Sequence, residues 1–408
     1  MGRKSSAAPR KSASEGRNLV VCCDGTSNEI GKRLSNVLKL YRIAEKSERQ
    51  ITYYHPGVGT VAMPHSWGRW RQKARAFFEM ATGAGLDRDV LAAYCFLCRH
   101  YRQGDNIYLF GFSRGAYTVR VVAGFIYLIG LLREDQVNFA GYALKAYKKA
   151  SEENNFEIAY QFQRVVTPQR VPIKFVGVWD TVSSVIVPGR LPFSKLRLEE
   201  LPYTSHNPAV RTFRHAIAID EFRRMFRIKR WRERQTFKPN PHSQAKSFPA
   251  QDARQIWFAG CHSDVGGGFD EEKSALSKFP LLWMLEQAKA HGLHIRTSMV
   301  NHIVKGQPRA NARSYTKPNP EGPLHSSMKW YWRPLEFLPK AGRHQDWPQR
   351  RRFLGRYIPL AEPRFIPDGS SIHTSANDRM KRVPSYKPIN LPPDYTVETM
   401  TGPTAKKY

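Results

Sequence analysis

The chain has 408 residues, of which 41% are hydrophobic and 24% are charged, enough for one large core with a smaller appendage. It carries 65 Lys and Arg against 34 Asp and Glu, a formal net charge of +31 that attracts anionic partners such as lipid head groups or polyanions. The five cysteines are odd in number and lie in apolar contexts, which excludes a disulfide framework, and no apolar run is long enough to span a membrane.

Short apolar strands alternate with helical patterns over most of the chain. The predicted strands are, in order, NLVVCC, ITYYH, IYLFGF, VPIKFVGVW, FRHAIAI and RQIWFAG. Helical spacing appears in NVLKLYRIAE, in LDRDVLAAYCFLCRHY, from Ser113 to Leu132, and in LSKFPLLWMLEQAKAHGL. Continuously apolar strands separated by helices are typical of parallel strands covered on both faces. The sequence therefore predicts an α/β fold with a doubly wound, mostly parallel sheet.

The two ends of the chain differ from this pattern. We expect a disordered basic tail at residues 1–17, the α/β domain at 18–300, and an irregular Pro- and Arg-rich appendage at 301–408 packed on the core. The tail lacks the apolar segment of a secretory signal. We therefore expect a cytoplasmic protein, with peripheral membrane association or signal-independent export as alternatives.

Polar residues end most of the predicted strands. They are Asp24, Ser113, Asp180, Asp220, His262 and Asp264. Parallel sheets place reactive groups at the carboxyl ends of their strands, so these side chains are candidates for one site.

Ser113 lies in GFSRG, which matches the G-x-S-x-G pattern between an apolar strand and an apolar helix. In this pattern a strand turns sharply into a helix, and the serine at the apex acts as a nucleophile. The alternative is a plain turn serine. The N–H of Arg114 at the helix N-terminus would face the oxyanion, and Gly25 or Thr26 after the first strand would supply a second donor. For that first turn, an Asx-type turn closed by Asp24 is the alternative.

A serine nucleophile needs a base and an orienting carboxylate. His262, after the last core strand, is the candidate base, with His373 and His215 as rivals. Either Asp180 or Asp220 suits the carboxylate, and the residues alone leave this choice open. The order Ser, Asp, His along the chain is the order of an α/β-hydrolase.

Six motifs occur in the order found in one family: VVCCDGTSN, YYHPGVGT, GDNIYLFGFSRGAYTVR, VGVWDTV, RHAIAIDEFRR and IWFAGCHSDVGGGF. Together they resemble the catalytic domain of type VI secretion phospholipase effectors, also found as an α/β-hydrolase-like domain of unknown function. The resemblance covers roughly Asn18 to Gly292, with a looser match in SIHTSANDRMKRVPSYKPINLP.

The resemblance implies an α/β-hydrolase-like fold and a serine hydrolase that cleaves carboxylic esters. Its substrates would be phospholipid acyl esters, as for an A-type phospholipase. By the GFSRG, WDT and HSDVGGG motifs, the catalytic residues would be Ser113, Asp180 and His262, which favours Asp180 over Asp220. No cofactor is expected.

Two alternatives remain. A metal-dependent hydrolase or phosphatase would use Asp24, Asp180, His262 and Asp264. A non-enzymatic basic protein would bind membrane or nucleic acid, although no nucleic-acid module is present and we expect no nucleic acid partner. Arg and Lys alternate with aromatic residues in 223–238 and 343–356, which predicts peripheral contact with an anionic membrane surface, the alternative being a solvated basic face.

Overall fold

A computed structural model of the chain describes residues 16–25, 31, 33–57, 84–152, 156–182, 186–187, 197–198, 201–330, 332–342, 346–347, 351–399 and 402–407. The predicted basic tail lies outside the described residues except for Gly16 and Arg17, and Thr26 also lies outside them.

The regular elements follow the predicted alternation. The strands are β1 (Asn18–Cys23), β2 (Gln50–His55), β3 (Asn106–Phe112), β4 (Ile173–Trp179), β5 (Ile186–Val187), β6 (Arg197–Leu198), β7 (Val210–Ala218), β8 (Asp252–Phe258), β9 (Lys340–Ala341), β10 (Arg356–Tyr357), β11 (Ser370–His373), β12 (Tyr395–Thr399) and β13 (Gly402–Lys407). The α-helices are α1 (Asn36–Ile43), α2 (Ala84–His100), α3 (Arg114–Leu128), α4 (Ala140–Glu152), α5 (Glu157–Val166), α6 (His262–Gly266), α7 (Lys278–Ala290), α8 (Thr297–Ile303), α9 (Arg333–Glu336) and α10 (Thr374–Arg382).

Within the described residues, nine strands form one sheet in the order β2-β1-β3-β4-β7-β8-β11-β12-β13. All neighbouring pairs from β2 to β12 are parallel, and β13 is an antiparallel edge strand. The chain passes from β1 to β2 on one side and then to β3 on the other side of β1. This reversal opens a crevice at the carboxyl ends of β1 and β3.

Helices cover both faces of the sheet. Helices α2, α3, α4 and α5 contribute to the core on one face, and α1, α7 and α8 to the core on the other. Successive side chains of β3 alternate between them, since Ile107 and Leu109 belong to the first core and Tyr108 and Phe110 to the second. Burial of both faces explains the continuously apolar strands and confirms the predicted α/β class with a doubly wound, mostly parallel sheet.

The C-terminal region combines irregular chain with regular strands. Between α8 and β11 the described residues contain only the short helix α9 and the two-residue strands β9 and β10. Strands β11, β12 and β13 then extend the main sheet, which the expectation of an irregular appendage did not include. These strands have only four to six residues, too few for a clear apolar alternation. The domain boundary at residue 300 stays a prediction.

None of the helices in the described ranges combines the length and hydropathy needed to cross a bilayer.

Candidate active site

Ser113 lies on the sharp turn between β3 and α3. Its backbone has a positive φ of 56° with ψ −120°, a conformation that costs a non-glycine residue about 1–3 kcal/mol. A Cβ at Gly111 would lie 2.4 Å from the carbonyl oxygen of Gly115, and a Cβ at Gly115 would lie 2.1 Å from the carbonyl oxygen of Cys23. Gly111 is therefore needed for α3 to begin directly against the end of β3, and Gly115 for α3 to lie against the end of β1, with the serine at the apex.

The ring of His262 bridges Ser113 and Asp180. Nε2 lies 2.8 Å from Oγ of Ser113, and Nδ1 lies 2.5 Å from Oδ2 of Asp180. An ionised carboxylate only accepts hydrogen bonds, so Nδ1 carries the hydrogen and Nε2 can accept from the serine hydroxyl. Asp180 directly follows β4, and His262 begins α6 shortly after β8, so one sheet edge carries all three groups. The geometry suits proton transfer from the serine to the histidine, and the assignment of catalytic roles stays a prediction.

Burial and neighbouring charges set the protonation states of this trio. Burial raises the pKa of Asp180, but the Arg364 guanidinium and the hydrogen bond from His262 outweigh burial and hold that pKa well below its usual range. Burial also lowers the pKa of His262 below the ordinary histidine value, although Asp180 opposes this change. At neutral pH the pair is therefore an ionised carboxylate beside a neutral imidazole, the state in which a histidine acts as a base.

Aromatic rings enclose His262. The ring of Phe112 lies 4.6 Å from it between centroids, and the ring of Phe226 lies edge-on at 5.0 Å. Phe226 in turn contacts Trp332 edge-on at 5.7 Å. These rings limit water around the imidazole, which strengthens the electrostatic interactions inside the site.

The alternative triad residues do not join this trio. Asp220 accepts the N–H of Gly260 at 2.7 Å, and burial raises its pKa. His373 lies at the end of β11, where it caps α10 and burial lowers its pKa to about 3. His215 is fully buried within β7, and burial holds its pKa well below the usual range. Among the described hydrogen bonds, the side chain that accepts from the His262 ring belongs to Asp180.

The main-chain N–H groups predicted to bind the oxyanion differ in whether they already have a hydrogen-bond partner. Gly25 donates its N–H to Oδ1 of Asp24 at 2.7 Å, so this hydrogen is already engaged. The Asp24 carboxylate competes for this N–H, although it bonds the next residue rather than the residue two positions on that closes an Asx-type turn. The role of Gly25 as second donor stays a prediction. The N–H of Arg114 opens α3 next to Ser113, while its guanidinium points to Asp89 at 3.6 Å. Arg114 stays the predicted main-chain donor, and Thr26 lies outside the described residues.

Asp24 and Asp264 of the metal-dependent alternative belong to hydrogen-bond networks that are separate from the one joining Asp180 to His262. Asp24 accepts the hydroxyls of Tyr54, at 2.8 Å, and of Ser35. Asp264 pairs with His325 at 2.7 Å. In the part of the chain that the structure describes, no group of three His, Cys, Asp or Glu residues is arranged to hold a metal ion. The predicted four-residue cluster is thus not assembled, because each carboxylate is engaged by its own neighbours.

Two charged residues that the sequence did not indicate support the trio. Arg364 donates to both carboxylate oxygens of Asp180, at 2.5 and 3.0 Å. Glu221 accepts the backbone N–H of His262 at 3.2 Å and the hydroxyl of Ser327 at 2.7 Å. Glu221 lies within the motif RHAIAIDEFRR, which is a weak local signal, whereas Arg364 lies in a segment without periodicity that gives no such signal.

Comparisons with known proteins place the chain in a family. The model for "T6SS, Phospholipase effector Tle1-like, catalytic domain" matches residues 17–287. An uncharacterized protein of Saccharomyces cerevisiae, YEL023C, is 32% identical over 234 residues, which are 54% of this chain and 33% of that protein. The chain therefore spans about a third of the length of this curated relative.

Two solved structures share low sequence identity with the chain. A crystal structure of an uncharacterized protein from Pseudomonas aeruginosa is 18% identical, covering 69% of this chain and 46% of that chain, with a TM-score of 0.37. The Tle1 effector bound to the VgrG spike of the type 6 secretion system is 16% identical, covering 68% of this chain and 57% of that chain, with a TM-score of 0.32. Since the family model matches well over half of the sequence, the chain belongs to the family of T6SS Tle1-like phospholipase effector catalytic domains.

Proposed function

We propose that the chain is a serine hydrolase that cleaves the acyl esters of phospholipids, as an A-type phospholipase does. The observation that carries the proposal is the hydrogen-bond chain from Ser113 through His262 to Asp180. The family of phospholipase effector domains supports the choice of a lipid ester as substrate.

The first half of the reaction acylates the enzyme. Nε2 of His262 takes the proton of Ser113 as Oγ attacks the ester carbonyl, and Asp180 stabilises the imidazolium. The N–H of Arg114 at the start of α3 donates to the oxyanion. When the tetrahedral intermediate collapses, the imidazolium gives its proton to the departing lysophospholipid, and an acyl ester of Ser113 remains.

The second half releases the fatty acid. His262 takes a proton from water as the water oxygen attacks the acyl carbonyl. The acyl–Oγ bond then breaks, and the proton returns from His262 to Ser113. One water is consumed in each cycle, and the products are a lysophospholipid and a fatty acid.

The decisive experiment compares wild type with Ser113→Ala on phosphatidylcholine, phosphatidylethanolamine, phosphatidylglycerol and p-nitrophenyl butyrate, with analysis of the lipid products. The variant should lose ester hydrolysis and fluorophosphonate labelling while its circular dichroism and melting temperature stay near wild type. Full hydrolysis by Ser113→Ala would overturn the proposal, as would release of phosphorylated head groups instead of fatty acid. Wild-type activity lost in EDTA would favour the metal-dependent alternative, and binding without hydrolysis the non-enzymatic one.

We further propose that the protein contacts anionic membranes through the surface that the described residues among 337–360 form, called here the 337–360 surface. Its exposed apolar residues are Phe337, Leu338, Phe353, Leu354, Ile358 and Leu360. The pairing of β9 with β10 brings both halves of this segment together. The sequence from 329 to 360 carries eight Arg and Lys against two acidic residues, Glu336 and Asp346. Exposed apolar side chains among basic residues suit a lipid surface with negative head groups.

The other basic segment, 223–238, has a different arrangement. Trp231 is buried and its ring stacks on Phe213 at 4.0 Å, and Phe226 packs against the ring of His262. The rings of Trp231 and Phe226 thus contact other parts of the protein, and Phe237 is half-buried, so this segment is less suited to a lipid surface than the exposed rings of 337–360. The segment instead connects the 337–360 surface to the site, because Arg224 donates to Tyr357 and to Asp346.

A further inference from the structure

We propose that Arg364 is a positioning residue that holds the carboxylate of Asp180 in place and balances its charge, so that the C-terminal region completes the active site. This inference rests on the proposed hydrolase function. It concerns a residue beyond position 287, where the family match ends.

The contact between the two side chains is bidentate and buried. Nη1 of Arg364 donates to Oδ1 of Asp180 at 2.5 Å, and Nη2 donates to Oδ2 at 3.0 Å. The side chains of Arg364 and Asp180 are 4% and 0% exposed. Two parallel bonds between a guanidinium and a carboxylate fix orientation as well as charge, which a lysine cannot reproduce.

Arg364 is itself held rigidly against the strand ends. Nη2 also donates to the carbonyl of Phe226 at 2.6 Å, and Nη1 to the carbonyl of Ala218 at 3.3 Å. The amide of Asn390 donates to the carbonyl of Arg364 at 2.9 Å and to that of Ile219 at 3.0 Å. The guanidinium therefore has a defined position after β7, beside the carboxylate that it binds.

Oδ2 of Asp180 is shared between Arg364 and His262. It accepts from the guanidinium and from Nδ1 of the ring, while Oδ1 also accepts the N–H of Ala218 at 2.9 Å. The charge of Asp180 is thus partly neutralised before the histidine is protonated. Without Arg364 the same buried carboxylate would favour the imidazolium more strongly, and it could also rotate away from the ring.

Among the described residues, the charged and titratable groups that act on Asp180, His262 and Arg364 are His215 on β7, Glu221 and Arg223 after β7, and Asp346 of the C-terminal region. Glu221 is paired with Arg223 at 2.8 Å. Arg364 is therefore the cation whose removal leaves the Asp180 carboxylate without its guanidinium partner.

The test uses Arg364→Gln and Arg364→Lys in the full chain, with Arg379→Gln as the matched control. Arg379 is also buried in the C-terminal region, but its guanidinium bonds the carbonyls of Pro320 and Gly322. The measurements are kcat and KM for p-nitrophenyl butyrate as a function of pH, the rate of fluorophosphonate labelling, and the melting temperature. The fall of kcat toward low pH is the acid limb of the pH–rate profile.

Arg364→Gln should lower kcat by about 100-fold, the effect of a misplaced catalytic group, with little change in KM. Its acid limb should move to higher pH, because His262 becomes harder to deprotonate. Arg364→Lys keeps the positive charge but loses the bidentate hydrogen bonds of the guanidinium. Its acid limb should therefore stay near that of wild type, while its kcat should lie between those of Arg364→Gln and wild type. Arg379→Gln should lower the melting temperature without moving the acid limb.

An unchanged acid limb and kcat in folded Arg364→Gln would overturn the inference, as would an effect equal to that of Arg379→Gln. If Arg364→Gln does not fold, Arg364→Lys decides: full wild-type kcat in it would rule out the positioning role. A failure of the proposed hydrolase function can be distinguished from a failure of this inference. In the former case wild type itself would neither hydrolyse the ester nor react with the fluorophosphonate.

Discussion

Oγ of Ser113 lies 2.8 Å from Nε2 of His262, although 149 positions separate the two residues in the chain. Parallel strands bring them together, because β3 and β8 both end at the same edge of the sheet. Ser113 lies on the turn that follows β3, and His262 is the first residue of the short helix α6 that follows β8. The proximity is thus a consequence of sheet topology rather than of local sequence.

The choice of triad acid can be tested by replacing each candidate aspartate. Asp180→Asn should lower kcat on the order of 10⁴-fold, because the amide favours the wrong tautomer of His262. Asp220→Asn is the control, since Asp220 also follows a neighbouring strand, where it is half-buried and accepts the N–H of Gly260. Its activity should stay within about a factor of a few. A larger loss in Asp220→Asn than in Asp180→Asn, measured on p-nitrophenyl butyrate with melting temperatures in parallel, would reverse the assignment.

The pH dependence follows from the environment of His262. The base must be neutral to accept the serine proton, and burial lowers its pKa below the ordinary histidine value of 6.5. Activity should therefore persist below pH 6.5, and the acid limb of kcat/KM should have its midpoint under that value. The measurement is a pH-stat titration of ester hydrolysis, with Ser113→Ala as the blank. An acid limb centred above the ordinary histidine value would contradict the described environment.

The tight turn around Ser113 predicts a strong effect of a single methyl group. In Gly115→Ala the new Cβ would lie 2.1 Å from the carbonyl oxygen of Cys23, so the turn and the end of β1 must separate. We expect a loss of about 1–3 kcal/mol in the free energy of unfolding, with loss of hydrolysis.

The matched control for Gly115→Ala is Gly141→Ala. Gly141 is exposed in α4, and a Cβ there would have no atom within 4 Å. This variant should be active and about 0.5 kcal/mol more stable than wild type, because alanine favours the helix. Chemical denaturation measures both, and equal stabilities of the two variants would refute the steric argument.

If the 337–360 surface contacts membranes, replacing its most exposed apolar residues, Phe353 and Leu354, with polar ones should reduce binding to vesicles. Phe353 and Leu354 are 79% and 85% exposed. Changing both to serine should weaken partition to phosphatidylglycerol-containing vesicles by about 10- to 100-fold, with hydrolysis of soluble esters unchanged. Val165→Ser is the control, since Val165 is 81% exposed on α5, outside this surface. Vesicle sedimentation measures the binding. Equal binding by the double serine variant and by Val165→Ser would contradict the proposed role of this surface.

The basic residues of the same surface predict a salt dependence. Binding of wild type to anionic vesicles should weaken steeply as salt rises, because the attraction between basic side chains and head groups is screened. Vesicles of phosphatidylcholine alone serve as the comparison and should bind weakly at every salt concentration. Binding to anionic vesicles that does not respond to salt would leave the apolar residues as the only basis of contact.

The sequence by itself determined the α/β class and the chain order of the main strands, and it predicted that Ser113 and His262 lie at one edge of the sheet. This was possible because continuous apolar runs report burial on both faces, and because the carboxyl ends of parallel strands share one edge. The two glycines of GFSRG also follow from the geometry of the turn, since a Cβ at Gly111 would clash with the start of α3 and a Cβ at Gly115 with the end of β1.

Only the tertiary structure decided which groups support the site. Arg364 binds Asp180 across 184 positions, from a segment with no periodicity, and the same fold engages the N–H of Gly25 with Asp24. Buried charges and main-chain donors choose partners by proximity in space, so local patterns do not record their pairing. The motifs therefore predicted which polar residues lie at the strand ends, whereas the groups that contact Asp180 and balance its charge come together only in the folded chain.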